Sequence, residues 1–182
     1  MKFILNLMLY PVYAITSLIM TITAIVFSPI IALFVNKEGN LPFLLKWFQT
    51  PDNPCWGDQS YHDIETPNDS VYVRTVKWLV RNPAQGFDMF VSGKQDPDTE
   101  YKVRGPWVNE GNSEGVVPKP GVGGALLVTS DKYFHLYIII PIGATCIHSE
   151  FGWMLRSSVE TKIVHPKVSF VFTPIRFYTF VK

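Results

Sequence analysis

Cysteine is scarce in this chain. Cys55 and Cys146 lie far apart, and two thiols do not make a disulfide framework. They read as reduced side chains, with a single bridge as the alternative. A surplus of either charge is also missing. The formal net charge of +1 supplies no general attraction for nucleic acid, so no nucleic-acid partner is expected. Internal repeats and low-complexity linkers are absent too. The glycine run Gly121–Gly124 lacks the lysine and hydroxyl residue of a phosphate loop, so it reads as a connection and no cofactor is expected.

The most informative absence is charge between Phe3 and Val35. A bilayer-spanning helix needs about 20 apolar residues. This run is too long for one straight span and barely long enough for two. Ser28-Pro29 has the form of an N-cap followed by a first-turn proline. The expected arrangement is therefore one spanning helix from Phe3 to Phe27, bent near Pro11, and a short second helix from Pro29 to Phe34. A helical hairpin is the rival, and a signal peptide fits less well because the apolar region is too long. Lys37, Lys46, Arg74, Lys77 and Arg81 follow the segment, against Lys2 before it. That bias places the larger part in the cytoplasm.

What is present after the segment is aromatic. Leu41, Phe43, Leu44, Trp47 and Phe48 recur at helical spacing with Lys46 among them, predicting an amphipathic helix in the membrane surface. Pro51-Asp52-Asn53-Pro54 then breaks it with turn chemistry. A second amphipathic helix is predicted over Val71–Arg81, ended by Asn82-Pro83. Arg74, Lys77 and Arg81 form a basic stripe on it, with Trp78 nearby, and such a stripe suits anionic headgroups. The membrane-interface candidates are thus Trp47, Phe48, Arg74, Lys77, Trp78 and Arg81. The plain alternatives are a core role for Trp47 and a solvated face for the stripe.

Residues 91–124 are rich in turn formers, with one strand expected near Tyr101–Val108. Beyond Ala125 the chain becomes β-rich. Tyr133–Ile140 and Thr145–Arg156 flank Pro141-Ile142-Gly143-Ala144 as a hairpin. With Ile140 opposite Thr145, Phe134, Ile138, Ile147 and Phe151 share an apolar core face, and His135 meets Glu150 and Tyr137 meets His148 on a half-exposed one. Val168–Thr173 is expected as a third strand ending at Pro174 or lying at an edge.

Chemistry is thinly signalled. His135, His148 and Glu150 on one sheet face could ligate zinc or another divalent ion, though a cross-strand His–Glu hydrogen bond explains them as well. Cys55 with His62 could be nucleophile and base, and Asp52, Asp58 and Asp63 could surround a cation. Turn roles suit all of them better.

The segments "SPIIALFVNKEGNLPFLLKWFQTPDNPCWGD" and "WLVRNPAQGFDM" resemble a family of small phage- and prophage-encoded proteins of unknown function. The likeness is most specific in Trp47–Asp58 and Arg81–Asp88, and the closing "FGWMLR" and "FVFTPIRF" are similar as well. It implies a viral origin and a bacterial host, and brings no catalytic residues with it.

The expected architecture is α+β, in three parts: a transmembrane anchor over 1–35, an interfacial helical region over 36–90, and a loop-rich segment with an antiparallel sheet over 91–182. The expected protein is non-enzymatic. It sits in the host inner membrane, has the bilayer and a host membrane protein as partners, and serves host modulation or superinfection exclusion. Its rivals are an accessory of lysis or particle entry, and a metal-dependent enzyme using the His135/His148/Glu150 face.

Overall fold

The computed structural model describes residues 2–105, 123–143 and 145–179. The protein is α+β: a long apolar helix, short helices, then antiparallel sheet. It folds as two compact units, Met1–Val12 with Ser92–Lys182, and Tyr13–Val91.

Helix α1 runs without interruption over Lys2–Ile31, and a 3-10 turn, Ala32–Phe34, follows. Ser28-Pro29 therefore does not start a new helix, contrary to the expectation from its cap-like pattern. Pro29 has no N–H for the carbonyl of Ile25. The Ser28 hydroxyl donates to that carbonyl instead, at 3.1 Å, and the helix continues.

In the unit Tyr13–Val91, the chain after α1 forms a 3-10 helix over Phe43–Phe48, not a full amphipathic α-helix. A single-turn π-helix, Tyr61–Glu65, precedes α2 (Val71–Arg81), where the Ser70 hydroxyl accepts the Val73 N–H as N-cap. Helix α3 (Gln85–Phe90) follows Ala84, whose φ of 57° turns the chain sharply after Asn82-Pro83. Ala24, Ile31, Leu41, Phe48, Cys55 and Leu79 make this unit's core.

In the other unit, β1 (Gly93–Lys94) pairs with β6 (Lys167–Val168). The main sheet has the order β2-β3-β4-β5-β7, all neighbours antiparallel. Its strands are β2 (Lys102–Arg104), β3 (Gly124–Thr129), β4 (Phe134–Ile142), β5 (Thr145–Trp153) and β7 (Phe170–Thr179). Helix α4 (Arg156–Thr161) follows β5. Gly124 opens β3, while Gly121, Val122 and the stretch 106–120 lie outside the described residues.

The hairpin register differs from the expected one by two residues. Ile142, not Ile140, faces Thr145, so Ile138 meets Ser149 and Tyr137 meets Glu150. The strand continues through Pro141 to a turn at Gly143, whose φ is +57°. Strand β3 begins opposite Ile139. Beyond that point, among the described residues, β4 pairs on one side only and tolerates a residue without an N–H. A shift of two keeps every side chain on its face. What changes is which face is interior. His135, Tyr137, Ile139, Cys146 and His148 are buried with Leu126 and Val128, whereas Ile140 and Ile142 on the other face are exposed. The return of the chain through Leu155 and α4 closes the histidine face. Tyr10 of α1 covers only one end of the apolar face, against Phe134, Trp153 and Phe170. Strand β7 is an edge strand that runs through Pro174, at a bulge between the His148 and Glu150 pairings, where Ser149 Oγ donates to the Pro174 carbonyl at 2.7 Å.

Candidate functional site

Two features of this molecule go beyond ordinary packing: the apolar face of α1 and a buried acid–base cluster in the sheet.

Helix α1 is sorted by side-chain size. Ala14, Ser17, Ala24, Ser28 and Ile31 are its buried residues. Ile4, Met8, Val12, Ile15, Ile19, Ile22, Val26 and Ile30 stand exposed on the rest of its surface. By length and composition, this is one N-terminal helix able to cross a membrane.

The predicted interface residues divide in the structure. Phe48 and Trp78 are interior, and Trp78 Nε1 donates to Thr50 Oγ1 at 3.1 Å. Trp47 is half-exposed, stacked between Phe87 and Phe90 with centroids 5.6 and 5.5 Å away. The outermost apolar side chains here are Phe43 and Leu44, 89% and 87% exposed. The basic stripe is paired from within. Arg74 donates to the carbonyls of Thr66 and Asp69, Lys77 pairs with Asp69 at 2.7 Å, and Arg81 pairs with Glu65 at 2.6 Å while lying over the Tyr61 and Trp78 rings.

The two motif blocks of the Tyr13–Val91 unit pack on one another. A Cβ on Gly86 would lie 2.2 Å from the carbonyl oxygen of Lys46, so α3 and the Phe43–Phe48 helix touch backbone to backbone. Gln49 Oε1 accepts the Leu41 N–H, and Gly57 sits against Tyr61 and Trp78. Asp88 accepts a hydrogen bond from Ser17 of α1 at 3.0 Å. Burial raises its carboxyl to about 6, with the Ser17 hydroxyl holding it back. Sequence reasoning missed this contact. The available signal was the row of small residues at three- and four-residue spacing inside the apolar run, which marks the side a membrane-type helix packs.

The second feature lies on the buried sheet face. His135 Nδ1 accepts the backbone N–H of Arg156 at 3.2 Å, and Nε2 lies 2.8 Å from Glu150 Oε1. Since Nδ1 is the acceptor, the ring proton is on Nε2 and is donated to the carboxylate. His148 Nε2 stands 3.5 Å from the other carboxylate oxygen. The Tyr137 ring lies 4.6 Å from His148 and carries the Arg156 guanidinium at 4.4 Å. Burial pushes the His148 imidazole down in pKa, against the pull of Glu150. Burial alone would raise Glu150, but the His135 hydrogen bond and the neighbouring His148 and Arg156 outweigh it and hold the carboxyl low. The three residues singled out as metal candidates thus do meet, but both ring nitrogens of His135 are engaged in hydrogen bonds. Among the described residues no group of three His, Cys, Asp or Glu side chains is disposed to hold a metal ion.

The remaining candidates lie in the turn at Cys55 and in and just before the π-helix Tyr61–Glu65. Cys55 is fully buried, and desolvation raises its thiol to about 11, a state with little thiolate. His62 Nε2 bonds the Trp56 carbonyl at 2.9 Å, Asp58 accepts the Tyr61 N–H, and Asp63 accepts from Gln59. A cleft of about 780 Å³ lined by Asp96, Glu100, Lys102, Arg104 and Asp131 mixes both signs of charge. Both cysteines are buried, and they are not joined in a disulfide.

Residues 1–179 match a family of unknown function, DUF7338, and the chain belongs to that family. No curated protein and no solved structure matches it.

Proposed function

We propose that this member of a family of unknown function is a membrane-bound, non-enzymatic binding protein of phage or prophage origin. In this reading it sits at a bacterial host's inner membrane and engages a host membrane component, for host modulation or superinfection exclusion. The observation that carries the membrane part is the outward face of α1. Burying one aliphatic side chain of this size stabilises by roughly 1.5–3 kcal/mol. A row of them left in water is a large unmet gain that a bilayer supplies. Phe43 and Leu44, nearly fully exposed side by side, add a second apolar tip. The buried thiols of Cys55 and Cys146, which are not joined in a disulfide, agree with a cytoplasmic placement of the bulk of the chain. The viral origin rests on the Trp47–Asp58 and Arg81–Asp88 blocks.

The test is fractionation followed by capture. The intact protein is expected in the membrane pellet after carbonate washing, and crosslinking in host membranes is expected to yield a membrane-protein adduct. Recovery in the soluble fraction would end the reading. Loss of membrane potential on expression without any adduct would favour a direct action on the bilayer, as in lysis.

A further inference from the structure

We propose that the stretch Ala14–Ile31 of α1 does not cross the bilayer but lies along its surface, with its outward face in the acyl chains and its inward face held by the unit Tyr13–Val91. This rests on the membrane reading above and specifies how the protein is seated. A crossing helix needs about 20 residues whose surroundings are lipid. The unit Tyr13–Val91 occupies one stripe of the helix from Ala14 to Ile31, and Tyr72 donates to the Pro29 carbonyl at 3.1 Å. Midway, the Ser17 hydroxyl holds the Asp88 carboxyl. The other unit takes the first turns: Asn6 Nδ2 donates to the Lys132 carbonyl at 2.9 Å and Tyr10 to that of Val171 at 3.2 Å. Along Ala14–Ile31 no stretch of the required length is clear of the unit that packs on it. In a crossing orientation Asp88 would be carried to mid-bilayer, where ionisable groups are costly.

The occupant of the outward face is lipid because of how the helix is sorted. Membrane helices turn small residues to their protein partners and large aliphatics to lipid. A protein-binding face would carry a polar rim, and no charged residue occurs from Phe3 to Val35. Phe43 and Leu44 would enter the same acyl layer.

Three exposed positions on this outward face, spread along its length, test this: Ile15→Cys, Ile22→Cys and Ile30→Cys. Each full-length variant is labelled natively with an environment-sensitive fluorophore and mixed with phosphatidylethanolamine/phosphatidylglycerol vesicles. The vesicles carry a quencher either high or low on the acyl chain. The expected result is a blue shift at all three sites and stronger quenching by the shallow label at each. Deep quenching at Ile22 with shallow quenching at Ile15 and Ile30 would overturn the surface seating while leaving membrane binding intact. No lipid-dependent change anywhere, with the protein failing to float with vesicles, would overturn the membrane reading itself. Blue shifts that grow with protein concentration and need no lipid would assign the face to a second copy of the chain and overturn the proposal.

Discussion

His135 gives its only ring proton to Glu150, because the backbone N–H of Arg156 already occupies its other nitrogen. The carboxylate thus stands between two imidazoles on the interior face of the sheet, 2.8 Å from one and 3.5 Å from the other. Removing it leaves the buried His135 ring without its acceptor and takes the carboxylate away from beside His148. Glu150→Ala is expected to cost roughly 1–3 kcal/mol, read by denaturant unfolding. A chelator is expected to leave the parent's melting temperature unchanged. A chelator-induced fall would instead mean that the rings hold a metal ion whose binding is coupled to folding.

The burial of that face also fixes an order of mutational cost. His148 is 6% exposed, whereas Ile147 lies on the partly open face. His148→Ala is expected to destabilise by about 2–4 kcal/mol and Ile147→Ala by less than about 1.5 kcal/mol. Equal costs in thermal melts would mean that the two faces are equally interior.

Gly86 leaves no room for a side chain beside the Lys46 carbonyl. Gly86→Ala is expected to cost about 1–3 kcal/mol by forcing α3 away from the Phe43–Phe48 helix. Trp47 fluorescence should shift with it, since its ring stacks on Phe87 and Phe90. A stability equal to the parent's would rule out this backbone contact.

The Asp88 carboxyl is raised to about 6 by burial, above its ordinary range near 3.8. A raised acid favours folding while it is protonated. Its contribution is complete below about pH 4 and lost as pH rises through about 6, roughly 3 kcal/mol over that window. The depressed His148 works in the opposite sense, because its contribution is lost on acidification. The test is therefore the difference between parent and Asp88→Asn. The stability of the parent relative to the variant should fall between pH 4 and 7, and a flat difference would show that Asp88 is not buried against Ser17.

Ser28 and Pro29 are expected to be coupled. Ser28→Ala removes the donor for the Ile25 carbonyl and should cost about 1 kcal/mol. The same change in a Pro29→Ala background should cost less, because an alanine in place of the proline supplies a backbone N–H. Additive costs in the double-mutant cycle would mean that the hydroxyl does not replace the missing amide.

The apolar helix, the α2 helix from Val71 to Arg81 and the strand alternation after Ala125 were legible in the sequence, because each depends on local spacing: uninterrupted hydropathy, a three-and-four repeat, and a period of two. Contacts between distant segments are not written in any spacing. Period-two alternation assigns residues to two faces but does not say which is interior, and only the return of the chain through Leu155 and Arg156 made it the histidine face. The turn at Gly143 moved the register by two, since a strand paired on one side can run through Pro141. The Trp47 and Arg81–Asp88 blocks looked like interface chemistry, yet their glycine, alanine and aspartate serve a close packing of short helices against one another and against α1. Hydropathy by itself determined that α1 is long and apolar enough to cross a membrane. Which side of it the protein covers was decided by tertiary structure, where small residues let backbones approach and large ones are turned away.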